Sequence, residues 1–424
     1  MKKVLWVVGI LILLFIGLTY WSLSSTSKTF RTCEIIGMEN LDTINFKDYD
    51  SVTIAASTLY QGNEIKQIMQ GSQYRKAWST PVKVPILYLD TLKGSVEILE
   101  EGGGHQTHSL KLETQNGTLM TLRSVTKDPS PVIPKVAEQL GLENIVVDGI
   151  SAQHPYAALV VSRLSKDAKI YSTKPQLVFL PKQDQLQDFN EKFGNRLFLL
   201  EYETDGNASW LGQKNVNRLV DTEDLQELKL ERPNQKITID EHQLIRARLF
   251  DLLIGDWDRH AKQWGWALEE RGDSITAIPL PCDRDNAFFN LEGVLPTLIS
   301  NKAFLPEVQS FENEIDYLEG LISPFDIYFM KGIPEEVFIQ ESHYLQNALS
   351  DEVIKSAFEV WPQDIYALDA EELIEKMKSR RNQLDTYAIQ FKKILNESEP
   401  LEVALKGSED LKMSKEQMQC FSCL

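Results

Sequence analysis

Apolar and polar positions divide this chain into stretches of different period. An unbroken apolar run covers Val4 to Trp21, behind Lys2 and Lys3. Roughly twenty apolar residues cross the hydrocarbon core of a bilayer, and flanking lysines favour a cytoplasmic N-terminus. Residues 1–27 therefore read as a signal anchor that meets the lipid bilayer through residues 4–21. The alternative is a cleaved signal, which has a shorter apolar core and a small-x-small site. Thr19-Tyr-Trp-Ser-Leu fits such a site poorly, and Ser24 to Ser27 fits it better. Both readings put residues 28–424 outside the cytoplasm, in a periplasm or at a cell surface.

Residues 28–81 read as a polar, irregular extension with a short helix from Glu64 to Met69. Alternation with period two then begins, over Val84 to Leu89, Val96 to Glu100, Ser109 to Glu113 and Leu119 to Val125. A helix is expected over Val132 to Leu140, closed by Gly141, and another over Pro155 to Ala168. Two further strands follow, Gln176 to Leu180 and Arg196 to Tyr202. Residues 82–204 thus form a mostly antiparallel sheet with one or two helices. Beyond Asn207 the pattern reads as helical. Glu241 to Ile254 places Leu244, Ile245, Leu249, Leu252 and Leu253 on one face, with Asp240 as N-cap. Short strands at Trp264 to Leu268 and Ile275 to Ile278 flank a turn, and one amphipathic helix is expected from Ala370 to Leu395. Residues 205–398 make a larger helical unit and 399–424 a tail. The fold class is α+β, a small antiparallel β lobe and a larger helical lobe behind one transmembrane helix.

With 424 residues, 42% hydrophobic and 25% charged, the chain has the composition of a globular protein. Its net charge of -18 excludes nucleic acid as the expected partner. Four cysteines at 33, 282, 420 and 423 are too few for a disulfide framework in a chain of this length. Cys420 and Cys423 suit a local disulfide or free thiols, and Cys282 suits apolar packing.

The chemistry concentrates in Gly255-Asp-Trp-Asp-Arg-His-Ala-Lys-Gln263 and in Asp283-Arg-Asp285 at the end of the next strand pair. A kinase-like phosphoryl transfer site uses one carboxylate to orient the acceptor hydroxyl. An amide five residues later and a second carboxylate then hold divalent metal against the nucleotide phosphates. Asp258 stands in the first position, Gln263 and Asp283 in the others, with Asp285 as a second metal-binding candidate. Arg259 and His260 read as supporting residues. His260 reads as a hydrogen-bonding element of the loop, since no His or Cys accompanies it at ligand spacing.

Gly102-Gly103-Gly104, followed after two residues by Thr107 and Ser109, offers backbone N–H groups and hydroxyls to a phosphate between two strands. Three glycines in that setting also suit a plain hairpin turn. A cation on the next strand would neutralise the nucleotide, and Arg123 and Lys127 are the two candidates. Glu138, in the following helix, is the acid expected to partner that cation.

Gly-Asp-Trp-Asp-Arg-His-x-x-Gln-Trp with Pro-x-Asp-x-Asp-x-Ala-Phe resembles the atypical kinases of the CotH spore coat type and the four-jointed secretory kinases. Gly-Gly-Gly-x-Gln-Thr-x-Ser-Leu, Leu-Arg-Ser-Val-x-Lys-Asp-Pro and Ile-Ser-Ala-Gln-His-Pro-Tyr-Ala are similar to an uncharacterised bacterial kinase-like domain. That domain is often joined to a metallophosphoesterase and an outer-membrane barrel. The resemblance covers about residues 50–395. It implies Asp258 as catalytic aspartate, Gln263 and Asp283 as metal ligands, and Arg123 or Lys127 at the nucleotide. Gln replaces the family's Asn at 263, and Arg stands where the family has Lys. The expected activity is transfer of the ATP γ-phosphate, with Mg²⁺ or Mn²⁺, to a hydroxyl of a protein, glycan or lipid. The competing expectation is a catalytically inactive pseudokinase serving as an envelope binding module. A metal-dependent hydrolase fits less well, because no histidine ligands accompany the acids.

Overall fold

The structure is a computed structural model, and it describes residues 2–23, 35–103, 107–128, 133–300 and 302–424. Gly104, one of the residues expected to meet phosphate, lies outside the described residues, as do Cys33 and Ser24 to Ser27.

Lys2–Leu23 forms one helix, long and apolar enough to cross a membrane, and most of its side chains are exposed. Strands β1 (Ser51–Ile54) and β2 (Val82–Pro85) form a small antiparallel ladder. Strands β3 (Val96–Gly102), β4 (Ser109–Thr114), β5 (Leu119–Ser124), β6 (Gln176–Leu180) and β7 (Arg196–Tyr202) make a five-stranded antiparallel sheet ordered β3-β4-β5-β7-β6. Its alternation is visible in β4, whose Leu110 and Leu112 are buried between partly exposed neighbours. Leu110, Leu112, Leu122, Phe198 and Leu200 share one apolar cluster on it.

The stretch expected to be helical contains a second five-stranded sheet. Strands β8 (Gly206–Asn207), β9 (Val216–Asp221), β10 (Lys236–Ile239), β11 (Trp264–Arg271) and β12 (Ser274–Pro281) are ordered β10-β12-β11-β9-β8. Only β10 and β12 run parallel. The signal for β8 to β10 is weak because these strands are short or only half covered. β9 buries Val216, Leu219 and Val220 among exposed positions, and its partner β11 is remote in sequence.

Two other expectations are corrected. Within the expected extension, the described residues 35–81 are not loose, since Val52, Ile54, Tyr60, Tyr74 and Trp78 sit in the main core with Phe250 and Phe288. Val52 and Ile54 alternate only over the four residues of β1, and Tyr60, Tyr74 and Trp78 follow no period. The helix expected over 370–395 is two helices, Glu371–Asn382 and Leu384–Glu397. Gln383 leaves helical geometry between them, its N–H closing on Arg380 O at 3.1 Å, and the second helix packs on Glu335–Ala348.

Glu241–Ile254 forms as expected, with Asp240 accepting from the Gln243 N–H at 3.0 Å. Apolar side chains surround it and all are buried, as suits a helix inside the core. Gly255 ends it with φ 71°, where a Cβ would stand 2.6 Å from the Phe311 ring. Glycine at this point lets the chain turn at once into the Asp256 to Gln263 loop.

Candidate functional site

Strand register assembles the site. Gly102 pairs with Ser109, and Ser109 pairs with Arg123, so three of the expected phosphate-binding residues form one row across β3, β4 and β5. In the other sheet Trp264 pairs with Pro281. That register sets Gln263 and Cys282 opposite each other, and the Cys282 N–H donates to Gln263 O at 3.0 Å. Asp283 follows directly, with φ 54°. Left-handed backbone at a non-glycine residue is uncommon, though less so for Asp than for most, and it clusters at functional sites.

These segments meet around one cleft of about 780 Å³. Its walls include Asp258, His260, Gln263, Asp283 and Asp285 from the second sheet and its loops. Gly103, Thr107, Ser109, Arg123 and Lys127 line it from the first sheet. Gly102 and Arg259 stand outside the lining, and so does Glu138, which is exposed on Lys135–Gln139. The acids that meet the cations come from elsewhere. Arg123 is ion-paired with Asp283 and lies 3.6 Å from Glu201, and Lys127 pairs with Asp285 at 2.5 Å. Glu138 fails as the partner because the short helix carrying it points that side chain to solvent.

Gln263 is buried, and its amide donates to Asp258 at 3.2 Å. His260 Nε2 lies 3.8 Å from the same carboxylate. Burial holds His260 below the ordinary histidine value against the pull of Asp258, which keeps the ring neutral at pH 7.

Arg259 holds this loop from beneath. It donates to Asp251 at 3.0 Å, to Cys282 O at 2.8 Å and to Gln263 O at 3.1 Å. Asp251 also accepts from Arg284 at 2.8 Å, and Arg284 reaches Ser165 Oγ at 3.1 Å. One buried carboxylate therefore ties the Asp258 loop to the Asp283 turn through two guanidiniums. A charge held this way needs its partners, because an unpaired buried charge is strongly destabilising.

Sequence reasoning missed Asp251 and Glu201. Asp251 carried a signal, an acid with apolar neighbours on every side of a core helix. Glu201 carried another, an acid within the otherwise apolar end of β7. Thr173 donates to Glu201 at 2.5 Å. Burial pushes the Glu201 carboxyl up, while Arg123 opposes the shift.

The two acids of Asp283-Arg-Asp285 differ. Burial works against ionisation of Asp283, but the charges of Arg123 and Lys127 outweigh it and hold the carboxyl below the usual Asp value. Asp285 is shifted upward, burial there exceeding the pull of Lys127. Burial, with Asp283 adding to it, pushes the Cys282 thiol up to about 12, which disfavours the nucleophilic thiolate. Cys420 and Cys423 form a disulfide.

No protein-family model matches the chain, and no curated protein matches it. Among solved structures it is similar to the Helicobacter pylori proinflammatory kinase CtkA, at 13% identity and a TM-score of 0.34. That likeness covers 72% of this chain and 97% of the other. It is also similar to the Shewanella oneidensis MR-1 toxin–antitoxin HipA, HipB and operator DNA complex, at 14% identity and a TM-score of 0.30. There the coverage is 75% of this chain and 68% of the other.

Proposed function

We propose that this chain is a membrane-anchored, extracytoplasmic, kinase-like phosphotransferase that moves the ATP γ-phosphate to an acceptor hydroxyl. The observation that carries the reading is convergence on one cleft. The carboxylate–amide pair Asp258 and Gln263, the acids Asp283 and Asp285, and the cations Arg123 and Lys127 all line it. The apolar Lys2–Leu23 helix supports the anchor, and Lys2 and Lys3 at its start support an orientation with the cleft on the far side of the membrane.

The donors suit a hard divalent ion. Asp283 and Asp285 would supply carboxylate oxygens, and the Gln263 amide oxygen, which accepts from Arg259 at 3.4 Å, would be the third ligand. Among the described residues no three His, Cys, Asp or Glu make a metal site by themselves. Mg²⁺ and Mn²⁺ sites of nucleotide enzymes have this form, with one or two carboxylates completed by phosphates and water. A bound ion there supplies charge neutralisation for the phosphates.

In the proposed reaction Asp258 orients the acceptor hydroxyl and accepts its proton as the oxygen attacks the γ-phosphorus, and ADP leaves. Gln263 keeps the Asp258 carboxylate in place. Arg123 and Lys127 meet phosphate oxygens, which compete with Asp283 and Asp285 for the same charges. Gly103, Thr107 and Ser109 cover the phosphates from the first sheet.

The pairing of both acids with cations favours a second reading, a nucleotide-binding pseudokinase of the envelope. Full-length protein in detergent, labelled ATP and envelope extract separate the two. The enzyme reading requires label in an acceptor with wild type and not with Asp258→Asn. Nucleotide binding without transfer or hydrolysis above Asp258→Asn would leave the pseudokinase.

A further inference from the structure

The C-terminal end of the apolar helix Lys2–Leu23 is fixed to the body of the protein. The Tyr20 hydroxyl donates to Leu140 O at 2.7 Å. Gln70 donates to Ser22 O at 3.1 Å and to Ser22 Oγ at 3.0 Å, and Asn144 donates to Leu23 O at 3.0 Å. The elements that make these contacts are themselves locked together. Buried Asp148 of Glu143–Gly149 pairs with Lys66 of Glu64–Gln70 at 2.8 Å and with Arg75 of the next helix. The helix therefore stands on a rigid base.

If residues 4–21 cross a bilayer, whatever touches residues 20–23 lies at the membrane–water interface. That level is also marked by Tyr20 and Trp21, the side chains favoured there. Large apolar side chains near this level are exposed. Ile68 is 65% exposed, Val136 62% and Leu140 53%. Val294 and Leu298, at 42% and 60%, belong to Val294–Ile299, which packs on Glu64–Gln70. Single exposed apolar residues are ordinary, whereas a cluster around one point marks an interaction surface.

We propose that this face, carried by Ile68, Val136, Leu140, Val294 and Leu298, seats the protein in the surface of the bilayer that Lys2–Leu23 crosses. The occupant is the bilayer itself, because the face continues the surface of the spanning helix. The inference rests on the anchored reading above and deepens it. Val146, Gly149 and Ile150 line the cleft and lie on the segment whose Asn144 holds Leu23. At 1.5 Å per residue, the cleft-lining Val146 and Gly149 stand about 3 and about 7.5 Å from Asn144 along the helix. Seating holds the candidate site beside lipid head groups, within reach of an acceptor carried there.

The test uses the full chain in phosphatidylcholine nanodiscs whose acyl chains carry bromine, a contact quencher. A fluorescent amino acid is placed at position 68, 140 or 298, at position 13 within the apolar helix, or at exposed position 389 on Leu384–Glu397. The expected result is loss of emission at 13, 68, 140 and 298 with emission retained at 389. Quenching at 13 with none at 68, 140 and 298 would overturn the seating and leave the anchor standing. Absence of quenching at 13 would remove the anchor and the seating with it. Equal quenching at 389 would show that no particular face is seated.

Discussion

Arg123 and Asp283 form an ion pair across 160 residues of sequence, from β5 of the antiparallel sheet to the turn that ends β12 of the mixed sheet. Arg123 also faces Glu201, so it stands between an acid of its own sheet and an acid of the other. The two acids divide by environment. Glu201 is pushed up by burial, whereas Asp283 is held down by cations that outweigh burial. Arg123 thus favours the charged form of Asp283, and a nucleotide phosphate entering the cleft would compete with Asp283 for Arg123.

Metal dependence follows from the proposed ligand role of Asp283 at the cleft. ATP should raise the melting temperature of the wild type with Mg²⁺ or Mn²⁺ and not in chelator, by linkage to the folded state. Asp283→Asn removes a ligand charge worth a charged hydrogen bond, about 1.5–3 kcal/mol. Metal-dependent ATP affinity should fall by about 10- to 100-fold, read by calorimetry. Equal stabilisation by ATP with and without metal in the wild type would remove Asp283 and Gln263 from the proposed roles.

Gly103 gives a prediction about the hairpin over the cleft. Its φ is 121°, and a Cβ there would stand 2.0 Å from Thr107 O. Backbone strain of this kind costs on the order of 1–3 kcal/mol. Gly103→Ala should therefore weaken ATP binding about tenfold while the global melting transition stays close to wild type. Gly102→Ala is the control. Its Cβ would meet only the Ser109 hydroxyl, at 3.0 Å, and its effect should be smaller. A larger loss from Gly102→Ala than from Gly103→Ala would count against the phosphate-covering role.

Readability of the chain tracked how local each signal was. The β3–β5 strands, the Glu241–Ile254 helix with its Asp240 cap and the β11–β12 hairpin all declare themselves within about a dozen residues, and they appear where expected. The residues proposed for chemistry sit on those elements or just beyond them, so Asp258, Gln263, Asp283 and Arg123 reach one cleft. The β9 and β10 strands did not show, because their partner strands come later in the chain and cover only some of their positions. Glu138 looked right by order along the chain, and Glu201 took its place beside Arg123 through a strand pairing no local pattern announces.

Asp256 predicts a pH effect on stability. It is fully buried, neither carboxylate oxygen has a hydrogen-bond partner, and Arg259 stands 3.7 Å away. Burial raises its folded-state pKa well above the ordinary Asp value, Arg259 opposing. The unfolded chain releases this proton near pH 4 and the folded chain only at higher pH. Its contribution is therefore fully present below about pH 4 and is lost as pH rises toward the folded value. Asp256→Asn keeps the shape without the charge. Its melting temperature relative to wild type should climb as pH rises from 4 to 8, measured by calorimetry. A difference that shrinks over that interval would show that Asp256 is ionised in the folded protein.

Asp258 separates enzyme from binding module. Asp258→Asn retains an oxygen for the Gln263 amide, which donates to it at 3.2 Å, so the loop should keep its form. What it removes is the base that accepts the acceptor proton, and such assistance is worth about 10²–10⁴-fold. Turnover of labelled ATP should drop by that factor with ATP affinity nearly unchanged. Asp283→Asn should show the reverse weighting, with affinity falling first. Equal turnover in wild type and Asp258→Asn would take the general-base role from Asp258, and a loss of affinity matching the loss of turnover would place it at the nucleotide instead.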